Sequence, residues 1–156
     1  MKAVETTSAY FDTGALLKVY HTEAGSEQAS SIALRHAALP LSFVLEIELK
    51  NALRALCRRG NIQQQQLEKM LDCIDYDIAE GRLYKLRSDA KKIETTAFDL
   101  SERFTTHLLS RSLDILHVAI ALCAEIPNFV TGDKRQAKLA AAAGLEVEFI
   151  NIPPSK

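Results

Sequence analysis

The sequence has no excess of charge of either sign, because 19 Lys and Arg residues are balanced by 20 Asp and Glu residues. The formal net charge of -1 excludes a broadly basic nucleic-acid surface and a polybasic membrane arm. Any binding of phosphate groups must therefore come from a local feature of the chain or from a metal ion.

Cysteine is also scarce: Cys57, Cys73 and Cys123 lie far apart in apolar stretches, and no C-x-x-C pair occurs. This spacing argues against a thiolate zinc site or a disulfide framework and predicts buried, reduced thiols. The sequence lacks an apolar run long enough to span a bilayer, and residues 1–8 lack the apolar core of a signal peptide. We therefore expect a soluble, cytoplasmic protein without a membrane partner.

The 156 residues contain no internal repeat or linker, so a single domain over 1–156 is expected, with its core at about 9–150. Short apolar runs alternate with stretches of helical periodicity. The predicted strands are 9–11, 39–41, 83–86, 129–131 and 147–150. A turn is predicted at 13–14, and the predicted helices are 16–20, 26–37, 43–59, 62–77, 88–109, 113–125 and 134–143. This alternation predicts an α/β fold whose central, mainly parallel sheet of four to five strands is flanked by helices.

Two carboxylates follow predicted strands closely. Asp12 comes directly after the strand 9–11, and Asp133 comes two residues after the strand 129–131. In a parallel sheet both would lie at the carboxyl edge of the strands, where ligands gather. Each residue could equally cap the helix that follows it, which is a common role for Asp.

Asp114 lies in a helix, 113–125, that is apolar almost all round and is therefore expected to be buried. A buried carboxylate is costly unless it is paired, hydrogen-bonded or bound to a metal ion. Three explanations remain open: stabilisation at the helix N-terminus, pairing with the nearby Arg111, or a metal ion.

Two glutamates in the helix 43–59 point in different directions. Glu46 and Glu48 are separated by about 200° of helical rotation, so only one can face the core. Glu48 borders the apolar stripe of this helix, whereas Glu46 is placed to pair with Lys50 on the solvated side. Glu48, Asp12, Asp114 and Asp133 would repel one another at one sheet edge, and a hard cation such as Mg²⁺ or Mn²⁺ would resolve that repulsion.

Four segments occur in a recognisable order: YFDTGAL at 10–16, ELKNAL at 48–53, RSLDILHVA at 111–119 and FVTGD at 129–133. Together they resemble the PIN-domain family, and within it the VapC-type toxins. The resemblance implies a three-layer PIN-like fold and a ribonuclease that depends on Mg²⁺ or Mn²⁺. It implies that Asp12, Glu48, Asp114 and Asp133 are the catalytic and metal-binding residues, supported by the hydroxyls of Thr13 and Thr131.

The chain departs from that family at two glycines near the expected site. Gly14 replaces a frequent serine, and Gly132 replaces a frequent aromatic residue. Both departures leave the carboxylates intact, and they concern contacts with the substrate. His117, one turn after Asp114, is either a further ligand or a core histidine with hydrogen-bonded ring nitrogens.

Four basic residues are candidates for contact with the RNA backbone: Arg54, Arg58, Lys134 and Arg135. Arginine and lysine supply most phosphate contacts in such complexes. For the first two, the alternative is that they complement the negative end of their own helix.

The resulting hypothesis is an endoribonuclease that hydrolyses RNA and acts as the toxin of a VapBC-type toxin–antitoxin pair. The resemblance implies two partners besides RNA, namely a small VapB-type antitoxin and a second copy in a homodimer. The alternatives are a PIN-like nuclease in RNA processing and a catalytically silent binding module.

Overall fold

The computed structural model describes residues 8–153, so the expectations for 1–7 and for Pro154 lie outside the described residues. Five strands alternate with seven helices in this part of the chain. The strands are β1 Ala9–Phe11, β2 Leu39–Leu41, β3 Leu83–Lys85, β4 Asn128–Thr131 and β5 Glu146–Phe149. The helices are α1 Thr13–Tyr20, α2 Ser26–Ala33, α3 Phe43–Arg58, α4 Gln64–Ala79, α5 Ala90–Leu108, α6 Ser112–Cys123 and α7 Lys134–Ala142.

All strand pairs in the described structure are parallel. β4 lies between β1 and β5, with Tyr10 opposite Phe129 and Val130 opposite Glu148. β2 pairs with β3 in a separate ladder, and β2 also contacts β1. The prediction of an α/β fold with a parallel sheet flanked by helices is confirmed.

The strands β1 and β4 are buried on both faces, whereas β3 and β5 are partly exposed. All three residues of β1 are buried, and the Tyr10 ring stacks on Phe129 of β4 at a centroid distance of 5.6 Å. Continuous apolar runs of this kind are typical of parallel strands that are covered by helices on both sides. Around β1 and β4, polar side chains therefore lie where the strands end.

Helix boundaries follow the capping residues rather than the apolar pattern. The predicted turn at 13–14 is wrong, because Asp12 caps α1 and the helix begins at Thr13. α5 begins at Ala90 rather than at Ser88, since Asp89 accepts hydrogen bonds from the first helical N–H groups. Ser42 caps α3, as its hydroxyl accepts from the N–H of Leu45 at 3.1 Å.

The prediction of buried cysteines is wrong for Cys73, which is exposed on α4, whereas Cys57 and Cys123 are partly buried. All three thiols are free. Among residues 8–153, no helix is long and apolar enough to cross a membrane.

Candidate active site

Asp12 links the end of β1 to the start of α1. Its N–H continues the ladder by donating to the carbonyl of Val130 at 3.0 Å, and its Oδ1 accepts from the N–H of Ala15 at 2.8 Å. The Thr131 hydroxyl donates to the other oxygen, Oδ2. Burial raises the pKa of this carboxyl, while the hydrogen bonds from Thr131 and Ala15 oppose that rise.

Asp133 caps α7 through Oδ1, which accepts from the N–H of Arg135 at 2.8 Å. Its own N–H donates to the Thr131 hydroxyl at 3.0 Å, so this hydroxyl joins Asp133 to Asp12. Both aspartates are therefore helix caps, as one of the two interpretations held. Each also keeps a second carboxylate oxygen that is not used for capping.

Asp114 lies in the first turn of α6 and is paired with Arg111. Nε of Arg111 donates to Asp114 Oδ2 at 2.9 Å, and Nη2 lies 3.4 Å from Oδ1. Nη2 also lies 3.2 Å from Oδ2 of Asp133. Two of the three explanations for Asp114 are thus present together: a position at the helix N-terminus and an arginine partner.

Glu48 on α3 faces the same region as these aspartates. Its Oε2 accepts from the Thr13 hydroxyl at 2.8 Å and is hydrogen-bonded to Nε2 of His117. The bond to His117 lowers the pKa of Glu48, burial opposes this, and the Thr13 hydroxyl lowers the pKa further. Glu46 points elsewhere and pairs with Lys50 at 3.1 Å, as the spacing predicts.

His117 is a core histidine whose two ring nitrogens both have partners. Its Nδ1 lies 2.8 Å from the Tyr10 hydroxyl, which in turn lies 2.8 Å from Oγ of Ser42. Its Nε2 lies against Glu48. The ring is only 2% exposed, so this network fixes the orientation of Glu48 from behind.

One pocket of about 780 Å³ lies at the carboxyl ends of β1 and β4. All four predicted carboxylates are on its wall, together with Thr13 and His117. Four cationic side chains also line it: Lys18, Arg111, Lys134 and Arg135. Arg54 and Arg58 are exposed on the distal part of α3 and are absent from the lining.

The sequence reasoning missed Lys18, which is buried on α1 with its ammonium group 2.7 Å from Oε1 of Glu23. It also missed the C-terminal wall of the pocket, formed by Phe149, Asn151 and Ile152. The position of Lys18 on the buried face of the short helix after Asp12 was the available signal, because lysine is seldom buried without a reason.

The C-terminal wall explains one of the two glycine departures. A Cβ atom at Gly132 would lie 3.1 Å from Cδ1 of Ile152 and 3.4 Å from the carbonyl oxygen of Ile150, so a larger residue would require the Ile152 side chain to shift slightly. At Gly14 a Cβ atom would meet only Oδ1 of Asp12 at 3.8 Å, an ordinary contact. A serine would therefore fit at position 14.

The donor set suits a hard divalent cation in kind, because four carboxylates converge on one pocket and oxygen ligands are those that Mg²⁺ and Mn²⁺ prefer. Their present orientation is different: within residues 8–153, no three Asp, Glu, His or Cys side chains are arranged to share one ion. The carboxylates are turned instead towards Arg111, His117 and the helix N-termini.

The α/β fold of this chain is shared with solved structures of other proteins. FitAcB from Neisseria gonorrhoeae matches with a TM-score of 0.66 and 14% identity, over 89% of this chain and 95% of that one. VapBC2 from Rickettsia felis, bound to a DNA fragment from their promoter, matches with a TM-score of 0.62 and 17% identity, over 93% and 100%. A domain of a functionally unknown protein from Methanocaldococcus jannaschii matches with a TM-score of 0.53 and 15% identity, over 97% and 96%.

The family prediction is corrected by the other comparisons. No family model matches the chain, and no curated protein matches it. Identities of 14% to 17% show a shared fold and nothing finer. The assignment to the PIN-domain family and its VapC-type toxins is therefore wrong, although the fold that the resemblance implied is present.

Proposed function

We propose that this chain is a metal-dependent endoribonuclease that hydrolyses RNA phosphodiester bonds and serves as the toxic component of a toxin–antitoxin pair. One observation carries the proposal: four carboxylates from four separate segments line a single pocket at the carboxyl edge of the parallel strands. The shared fold with two toxin–antitoxin complexes supports the biological setting.

The residues that would hold Mg²⁺ or Mn²⁺ are Asp12, Glu48, Asp114 and Asp133. A bound divalent ion would supply a water of lowered pKa and neutralise charge on the phosphate. Asp12 is the most rigid of the four groups, since backbone and Thr131 donors fix both of its oxygens. Glu48, whose pKa is lowered chiefly by His117, is ionised at neutral pH and can accept a proton from the attacking water.

Lys134 and Arg135 supply the contact with RNA in this proposal. Both are exposed at the start of α7 and both line the pocket. Cationic side chains at the rim attract the phosphate backbone locally, which suits a protein with a net charge of only -1.

The proposal includes two protein partners, a small antitoxin and a second copy of the chain. A separate groove of about 550 Å³ runs between α3, α5 and α6 and has a mainly apolar lining. Phe43 and Phe98 border it with 76% and 70% of their surface exposed. Exposed aromatic side chains beside an apolar groove favour contact with another protein.

A second candidate function, a catalytically silent binding module, is favoured by one specific observation. Every carboxylate of the pocket already has a protein partner. A single side chain, that of Arg111, contacts both Asp114 and Asp133. A silent module would bind no divalent ion, and replacing the carboxylates would leave its function unchanged.

The deciding experiment is to incubate purified protein with structured RNAs, with Mn²⁺ or with EDTA, and to map the ends produced. We expect cleavage with Mn²⁺ only. Asp12→Asn and Asp114→Asn should each abolish it, because each removes a ligand while keeping nearly the same side-chain shape. Circular dichroism would establish that both variants are folded. Cleavage retained by both variants would refute the metal assignment and favour the silent module.

A further inference from the structure

Arg111 occupies a special place among the cations of the pocket. It immediately precedes α6, and its guanidinium contacts carboxylates from two separate segments, Asp114 on α6 and Asp133 at the start of α7. A hard divalent ion bound to these two carboxylates would have to take up part of the same space and the same charges. In the described structure, a side-chain cation therefore holds the position between two proposed ligands.

The other cations of the pocket are differently engaged. Lys18 is paired with Glu23, and its Nζ lies 2.7 Å from Oε1 of that residue. Lys134 and Arg135 are exposed at the rim. Arg111 is thus the pocket cation that ion-pairs with two of the four carboxylates.

Arg111 is more exposed than either of its two partners. Its side chain is 66% exposed, whereas those of Asp114 and Asp133 are 15% and 41% exposed. The guanidinium consequently lies on the solvent side of Asp114 and is not fixed by packing. Ion pairs with one exposed, long side chain are weak and exchange readily with solvent, so this cation can leave while the carboxylates remain in position.

We infer that Arg111 is a displaceable internal counter-ion: it bridges Asp114 and Asp133 in the metal-free protein and is driven out by a divalent cation. The inference rests on the proposed metal-dependent function and adds a residue with a stated role towards the ion. Arg111 is here a positioning residue, which keeps two like charges together until the ion replaces it. Its presence makes the ion compete for the carboxylates, so its removal strengthens metal binding.

The test is calorimetric titration of Mn²⁺ into the wild type and into Arg111→Gln, without RNA. We expect Arg111→Gln to bind Mn²⁺ about two- to fivefold more tightly, the range that corresponds to losing a competing exposed ion pair. Arg111→Lys, which keeps the charge but loses the forked geometry, should lie between the two. The matched control is Arg103→Gln, because Arg103 forms a surface pair with Asp99, at 3.0 Å, and does not line the pocket. It should bind Mn²⁺ as the wild type does.

Thermal unfolding gives a second readout that does not depend on activity. In EDTA, Arg111→Gln should have a lower Tm than the wild type, since its carboxylates lose their counter-ion. In saturating Mn²⁺ that deficit should disappear, because the ion then supplies the charge. A deficit that persists unchanged in Mn²⁺ would indicate a purely structural role and overturn the inference.

The outcomes separate the inference from the proposed function. Equal or weaker Mn²⁺ binding by Arg111→Gln, with clear binding by the wild type, would overturn the counter-ion role and leave the metal-dependent function standing. Absence of Mn²⁺ binding in both proteins would overturn the two together.

Discussion

Glu46 and Glu48 lie two residues apart on α3 and have opposite surroundings. Burial would raise the pKa of Glu46, but hydrogen bonds from Lys85 and Lys50 lower it. The pKa of Glu48 is also lowered, but by His117 and Thr13, one of them fixed in the core. The same ionised state thus has two origins: two lysine partners outside the pocket for Glu46, and a hydrogen-bonded network at the pocket for Glu48. Of the two, only the network of His117 and Thr13 keeps its carboxylate, that of Glu48, oriented towards the pocket.

The largest expected effect comes from replacing each of these two glutamates by glutamine in separate variants. Glu48→Gln should lower RNA cleavage by about a hundredfold or more, the range for losing a general base. Glu46→Gln should leave cleavage within about twofold of the wild type, because its partners lie outside the pocket. Initial rates at saturating Mn²⁺ would measure both. Equal losses would mean that the comparison assigns the wrong glutamate.

The comparison is sharpened by removing the network behind Glu48. His117→Ala would leave the buried Tyr10 hydroxyl without one of its two partners and would open a cavity in the core. We expect the free energy of unfolding to fall by about 1–3 kcal/mol, measured by urea denaturation. His107→Ala, at an exposed position on α5, is the control and should be nearly neutral. A neutral His117→Ala would contradict the network as described.

The smallest expected effect concerns the four basic residues. Replacing Lys134 and Arg135 together by alanine should weaken RNA binding and reduce the slope of log affinity against log salt by about two. Replacing Arg54 and Arg58 should change that slope little, since these side chains do not line the pocket. Fluorescence anisotropy at several salt concentrations, with a catalytically inactive Asp12→Asn background, would measure both. A larger change in the salt slope for the Arg54 and Arg58 variant than for the Lys134 and Arg135 variant would place the RNA along α3.

Much of the fold could be predicted from the sequence because its signals are local. Capping by Asp12, Ser42 and Asp133, together with apolar strands, sets most element boundaries within a few residues. The meeting of Asp12 and Asp133 at one pocket also follows from the rule on strand ends. Their catalytic and metal-binding roles remain predictions.

The remaining features could not be predicted because they depend on distant parts of the chain. The bridge from Arg111 to Asp133 spans 22 positions, and no local pattern reveals it. The packing of Ile152 over Gly132 requires the last segment to turn back across the pocket. The location of Arg54 and Arg58 outside the pocket depends on the direction of α3 relative to β1. The family resemblance did not supply any of these contacts.

The C-terminal wall determines at which point of synthesis the pocket can be complete. The pocket that contains Asp12, near the start of the described chain, is also lined by residues near its end, namely Phe149, Asn151 and Ile152. During synthesis, Asp12 is the first proposed ligand to be made. Its pocket therefore lacks one wall until β5 and the residues that follow it have been made. A nascent chain that has not yet passed Ile152 carries the acidic groups without this part of the wall, so the pocket is complete only after Ile152 has been made.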